Sequence, residues 1–135
     1  MVRLLLDTHV ALFALVGDSR LKEGARALLE DEGNEVYFSS ASVWEIAIKH
    51  AKRPDELPMP PQDFFALCQS AGCYELPVLS KHSLLLSTLL RDASAPIHKD
   101  PFDRLLICQA KSEHMLLVTQ DALLPAYNEA CVLCF

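Results

Sequence analysis

The chain has 135 residues and a mass of 15.0 kDa, with 51% apolar and 22% charged residues. That balance excludes a disordered chain, and apolar runs of about six residues fall well short of the roughly 20 that span a bilayer. A formal charge of −6, from 18 acids against 12 bases, argues against a protein that coats nucleic acid by bulk charge.

One domain over residues 1–135 is expected, large enough to bury about 68% of its unfolded surface. Asp7 and His9 interrupt the N-terminal apolar stretch and no small-residue cleavage site follows. No signal peptide is therefore read, and a cytoplasmic location is expected.

Residues 2–6, VRLLL, form a run that is apolar apart from Arg3 and ends at Asp7, the pattern of a strand buried on both faces. Residues 8–16 continue as a short helix. Ser19 is the expected N-cap of a helix reaching Glu30, with Leu21, Ala25, Leu28 and Leu29 at helical spacing. A turn leads to a short strand, Val36–Phe38, and Ser39 and Ser40 open a helix carrying Val43, Trp44, Ile46 and Ile48. The Pro-rich segment 54–61 reads as a loop, with a helix starting near Gln62.

Residues 74–78 read as a strand closed by Pro77, 80–90 as an amphipathic helix, and 92–99 as a loop. A helix over 100–114, a strand over 115–119, a helical turn over 121–124 and a strand over 131–134 complete the chain. Strands alternating with helices predict an α/β fold whose parallel sheet is covered on both faces. The five cysteines, an odd number in a chain without a signal peptide, read as buried structural thiols. Cys131 and Cys134 lie three apart on a strand and so point to opposite faces.

Four acids occupy matching points of this alternation. Asp7 follows the first strand and Asp121 follows the strand MLLVT by one residue. Glu45 lies about two turns into its helix, and Asp103 sits in the first turn of the helix before MLLVT. In open α/β sheets, sites form outside the carboxyl ends of the strands. Each acid also has a local reading: Asp7 and Asp121 as caps, Glu45 as partner of Ser42 in a capping box, and Asp103 as a first-turn acid. Asp100, followed by Pro101, is assigned to capping.

Together the four are harder to explain locally, because carboxylates about 4 Å apart repel by roughly 4 kcal/mol at an effective dielectric of 20. A divalent cation offsets that repulsion. Hard oxygen donors without a convergent Cys/His set suit Mg²⁺ or Mn²⁺, one or two per site. The chemistry such a centre favours is hydrolytic phosphoryl transfer.

The segments LLLDTHVALFAL, SVWEIAIKH, HKDPFDRLLICQA and LLVTQDALL closely resemble, in order, those of PIN-domain proteins, and specifically the VapC-type toxins of bacterial type II toxin–antitoxin pairs. The resemblance covers essentially the whole chain. It implies a three-layer α/β/α domain with a central parallel sheet of four to five strands and a Mg²⁺- or Mn²⁺-dependent endoribonuclease site. Asp7 and Asp103 would be the principal metal ligands, with Glu45 and Asp121 completing the set. It also implies a homodimer, silenced by a cognate antitoxin that occludes the acidic cleft.

Around these acids, Thr8 and Thr119 read either as hydrogen-bond donors to the carboxylates or as ordinary strand-end hydroxyls. Ser40 reads as an N-cap or as a partner of metal water. His9 and His98 flank the site, where a solvated or core-edge histidine is the common case and substrate contact the alternative. Lys49, Lys99 and Arg104, with Lys52 and Arg53, are candidates for RNA phosphate contacts. Trp44 and Phe102 are expected in the core rather than stacked on bases. Two other classes compete: a dehalogenase- or receiver-like phosphoryl-transfer protein using Asp7, although His9 stands where the dehalogenase pattern has a second Asp, and a non-catalytic PIN-like binding module.

Overall fold

The computed structural model describes residues 1–135. Five parallel strands form one sheet: β1 (Arg3–Leu6), β2 (Glu35–Ser39), β3 (Tyr74–Leu76), β4 (Leu116–Thr119) and β5 (Val132–Cys134), in the order β3-β2-β1-β4-β5. Six helices connect them: α1 (Thr8–Val16), α2 (Glu23–Glu30), α3 (Ser40–Lys52), α4 (Pro61–Ser70), α5 (Ser80–Ser83) and α6 (Pro101–Glu113). The α/β class, the parallel sheet and its layers match the expectation.

The run Leu4-Leu5-Leu6 shows why strand β1 is apolar after Arg3. Side chains alternate across a strand, so Leu4 and Leu6 join Phe38, Val118 and residues of α1, α3 and α4 on one face. Leu5 joins Leu76, Leu117 and α6 residues Leu106, Ile107 and Ala110 on the other. Each buried leucine contributes about 1.5–3 kcal/mol. No helix is long and apolar enough to cross a membrane.

The strand order places a topological switch at β1. The chain runs from β1 outward through β2 to β3, then returns to the opposite side of β1 as β4. Leu4, Leu5 and Leu6 pair with Leu116, Leu117 and Val118, and the Asp7 N–H donates to the Val118 carbonyl at 3.0 Å. Crevices outside the carboxyl ends of strands at such a point are where α/β sheets form sites.

Several local expectations change. Ser19 does not cap α2, which begins at Glu23 after Lys22. Asp18 instead accepts the Arg20 N–H at 2.8 Å and pairs with its guanidinium at 2.7 Å, closing a turn that delays the helix. Ser39, not Ser40, caps α3, accepting from the Ala41 N–H at 3.0 Å. Ser40 Oγ accepts the Val78 N–H at 3.1 Å and so fastens β3's exit.

Residues 80–90 are not one helix: α5 stops at Ser83, and a 3₁₀ turn follows over Leu86–Thr88. Local side-chain bonds compete with the helix there. The His82 ring accepts the Leu79 N–H, and the Thr88 hydroxyl donates to the Leu85 carbonyl. The turn expected over 121–124 is present, with the Leu124 N–H donating to the Asp121 carbonyl at 3.2 Å and the Leu123 N–H to Asp121 Oδ1, and a 3₁₀ segment, Leu124–Tyr127, continues from it. Trp44 is 64% exposed rather than in the core, while Phe102 is half-buried. Among the thiols only Cys68 and Cys108 are fully buried, and Cys134 is exposed.

Candidate functional site

Each of the four acids is positioned by a different segment around the β1–β4 crevice. Asp7 terminates β1 and caps α1, its Oδ1 accepting the His9 N–H at 3.3 Å. Its Oδ2 accepts the Thr119 hydroxyl at 2.6 Å across the two central strands. Burial pushes the Asp7 carboxyl above its ordinary value of 3.8, against the lowering effect of the Thr119 and His9 hydrogen bonds. With Asp121 and His9 it lines a hollow of about 250 Å³.

Glu45 is buried on α3, and its two oxygens point to two different partners. Oε1 accepts the Thr8 hydroxyl at 2.8 Å, and Oε2 meets the Lys49 ammonium at 2.5 Å. Because the Thr8 proton goes to Glu45, the Ser42 hydroxyl 2.8 Å away donates to Thr8. These partners replace the capping box: Glu45 bonds Thr8 of α1 and, one turn on, Lys49, and not the start of its own helix. Burial works against the Lys49 charge, but Glu45, Asp100 and Asp103 together raise its pKa.

Asp103 enters from the first turn of α6. Asp100 caps that helix as expected, Oδ1 accepting the Phe102 and Asp103 N–H groups at 2.9 and 3.2 Å, with Pro101 at the next position. That cap satisfies the helix start and frees the Asp103 carboxylate from local duty. Burial first, then the charges of Asp7, Asp100, Glu45 and Asp121, push the Asp103 carboxyl up to about 8. The acids therefore share one electrostatic neighbourhood.

They do not converge equally. Ligand atoms of His98, Asp103 and Asp121 all lie within 4.8 Å of one another, while Asp7 and Glu45 stand outside this tightest group. Thr8 and Thr119 are donors to carboxylates, and Ser40 holds β3's exit away from the acids. Among the bases, Lys49 joins His9, Lys52 and Arg53 around a cavity of about 380 Å³ beside the acids. Arg104 lines a separate depression of about 200 Å³ with Ser83, Leu86 and Pro101, and its Nη2 donates to the carbonyl of exposed Lys99.

Two further participants are His98, expected to flank the site, and Gln109, which was not read from the sequence. His98 Nε2 lies 3.1 Å from Asp103 Oδ2, and its Nδ1 lies 2.6 Å from the Tyr127 hydroxyl. Burial holds this imidazole below its usual range, against the opposite pull of Asp121 and Asp100. Gln109, fully buried on α6, accepts the Ser39 hydroxyl at 2.6 Å and ties the start of α3 to α6. A polar residue at helical spacing for the core, Gln109 is the one of the two that periodicity could have flagged.

The donor set fits a hard divalent cation. Asp103 Oδ1 and Asp121 Oδ2 accept no hydrogen bond from the chain, and no buried side-chain polar atom is left unpartnered, so these oxygens open onto the cleft. Carboxylate oxygens that repel one another and lack protein donors are the donors Mg²⁺ and Mn²⁺ take.

Comparison with known proteins bears on this arrangement. The family described as PIN domain matches residues 4–129. The solved structure of the VapBC2 complex from Rickettsia felis, bound to a DNA fragment from its promoter, is similar at a TM-score of 0.64. Identity is 14%, over 98% of this chain and 97% of that one. A domain of a functionally unknown protein from Methanocaldococcus jannaschii matches at a TM-score of 0.49 and 14% identity, over 90% of this chain and 80% of that one. No curated protein matches the chain. At such identities the structural likeness speaks to the fold.

Proposed function

This chain belongs to the PIN-domain family, and from that premise we propose that it is a metal-dependent endoribonuclease, the toxin of a toxin–antitoxin pair. Residues 1–135 would act as one PIN-like domain in the cytoplasm. The observation that carries the reading is the desolvated group of carboxylates at the β1–β4 switch, with the Asp103 carboxyl pushed up to about 8 by burial and its acidic neighbours. A protein stabilises such a group poorly by itself, and a cation stabilises it well.

Asp7, Glu45, Asp103 and Asp121 would hold one or two Mg²⁺ or Mn²⁺ ions. When bound, the metal supplies positive charge to the scissile phosphodiester and lowers the cost of ionising water near neutral pH. The chain's own residues do the positioning. Thr119 and the His9 N–H fix the Asp7 carboxylate, and Thr8 with Lys49 fixes Glu45. Lys49, Lys52 and Arg53 would neutralise the RNA backbone beside the acids, with Lys99 just before α6 and Arg104 near its start.

The net charge of −6 is compatible with an RNA substrate on this reading, because two divalent cations offset four of those charges. A cognate antitoxin and a homodimer complete the proposal. The likeness to one chain of a VapBC complex supports the first only through the fold. A basic side chain inserted among the carboxylates is the inhibitor chemistry this cleft would accept.

Membership of the PIN family sets aside the dehalogenase- and receiver-like reading of Asp7, leaving a non-catalytic PIN-like module as the competitor. The test is expression in a bacterial host of the wild type beside Asp7→Asn, with total RNA mapped for new 5′ ends. Growth arrest and new ends with the wild type alone are expected. Equal behaviour of both proteins, or no cleavage by purified protein with Mg²⁺ or Mn²⁺, rejects the proposal.

A further inference from the structure

We infer that Tyr127 and His98 form a hydrogen-bond relay that holds the Asp103 carboxylate in its metal-binding orientation. The inference rests on the metal reading above and goes beyond it, since neither residue belongs to the acidic set.

With Asp103 ionised, as a metal ligand must be, the geometry admits one assignment of protons for a neutral ring. The Tyr127 hydroxyl donates to His98 Nδ1 at 2.6 Å, and His98 Nε2–H donates to Asp103 Oδ2 at 3.1 Å. Oδ2 is thereby engaged, and Oδ1, which accepts nothing from the chain, is left for a ligand. Both relay side chains are shielded: His98 is 4% exposed at the side chain and Tyr127 5% overall. A hydrogen bond to a carboxylate in such a site is stronger than one in water and holds one rotamer of the acid.

The relay also joins two segments that lie far apart in the chain. His98 lies in the irregular stretch before α6, and Tyr127 ends the 3₁₀ segment that follows Asp121. Arg91 fastens the same two segments, donating to the carbonyls of Pro96 and Leu123 and lying 4.9 Å from the Tyr127 ring centre. The Tyr127 and His98 rings meet edge to face at 5.5 Å. The Asp103 and Asp121 arms of the site are thus set relative to one another through His98 and Tyr127. Partners of this kind, one step removed from the metal, typically change affinity by about 10–100-fold when lost.

The test is Mn²⁺ binding by calorimetry on the purified protein, with circular dichroism as the check on folding. His98→Ala is expected to weaken Mn²⁺ binding by about tenfold or more, Tyr127→Phe in the same direction by less, and His98→Gln, whose amide can donate from the Nε2 position, to recover most of the loss. Unfolding of His98→Ala would leave Tyr127→Phe and the wild-type ring to decide. In ¹⁵N-resolved spectra the wild-type His98 is expected as the Nε2–H tautomer in the presence of Mg²⁺. Folded variants that bind Mn²⁺ within about twofold of wild type overturn the relay while leaving the metal site standing. A switch to the Nδ1–H tautomer on adding Mg²⁺ also overturns it, by making the ring itself a ligand. A wild type that binds no Mn²⁺ at all removes the metal reading and the relay with it.

Discussion

The Thr119 hydroxyl donates to Asp7 Oδ2 at 2.6 Å, joining the last residue of β4 to the residue after β1, 112 positions away in the chain. The bond exists because β1 and β4 are neighbours in the sheet with Leu6 paired to Val118. It gives a buried carboxylate a partner that costs no extra space.

Thr119→Val keeps the shape and removes the donor. The expected loss is about 1–3 kcal/mol, the cost of leaving a buried acceptor unsatisfied. Urea unfolding in the presence of a chelator measures it, and an unchanged midpoint would show that Asp7 is sustained by the His9 N–H alone.

Stability of the metal-free protein should fall as pH rises. The Asp103 carboxyl moves from 3.8 to about 8 on folding, so between these values the folded chain binds more protons than the unfolded one. Stability is then highest below about pH 4 with respect to this group and declines through about pH 8. Metal competes with the proton, so added Mn²⁺ should raise Tm more near pH 8 than near pH 6. Thermal scans with and without chelator read both effects, and a metal-induced gain independent of pH contradicts them.

Asp103→Asn imitates the protonated acid. In chelator the variant should match the wild type near pH 4 and below, exceed its stability increasingly between about pH 4 and about pH 8, and abolish RNA cleavage at every pH. Greater stability with lost activity is the signature of a charge kept for function. A variant less stable than wild type at high pH would indicate that Asp103 is a structural anion.

At the other end of α6 from Asp103, Glu113 receives hydrogen bonds from Lys81 and His82, which hold its carboxyl down to about 2. A depressed carboxylate stabilises above its ordinary 4.5, and the contribution is lost as pH falls towards about 2. Glu113→Gln should flatten that acid limb of the stability curve. Because Glu113 retains 20% side-chain exposure, screening keeps the effect small. An acid limb of unchanged slope would place the loss elsewhere.

Trp44, the single tryptophan, is 64% exposed beside buried Glu45. Its emission should be that of a solvated indole in the native protein, and Trp44→Ala should change stability by about 0.5 kcal/mol or less. Blue-shifted native emission would reveal that the face is covered, for instance by a second copy.

The parts of the fold legible in the chain were those with purely local causes. Strands β1 and β4 are built on short apolar runs, Leu4–Leu6 and Leu116–Val118, and α6 announces itself by Asp100 followed by Pro101. Where two local causes compete, pattern alone misleads: Asp18 captures the turn that Ser19 was expected to open, and bonds from His82 and Thr88 divert residues 80–90 from a helix. Trp44 misleads for another reason, since an aromatic residue at helical spacing does not reveal which side of α3 is covered.

The sequence by itself determined the alternation of strands and helices and the presence of acids at their ends, because periodicity, caps and strand termini are set within a few residues. Only the tertiary structure decided that β4 returns beside β1, that Thr119 reaches Asp7, and that His98 joins Asp103 to Tyr127. Those relations depend on which strands pair and how two helical layers pack over them. The relay's partners lie 5 and 29 residues from His98, and no local pattern connects them.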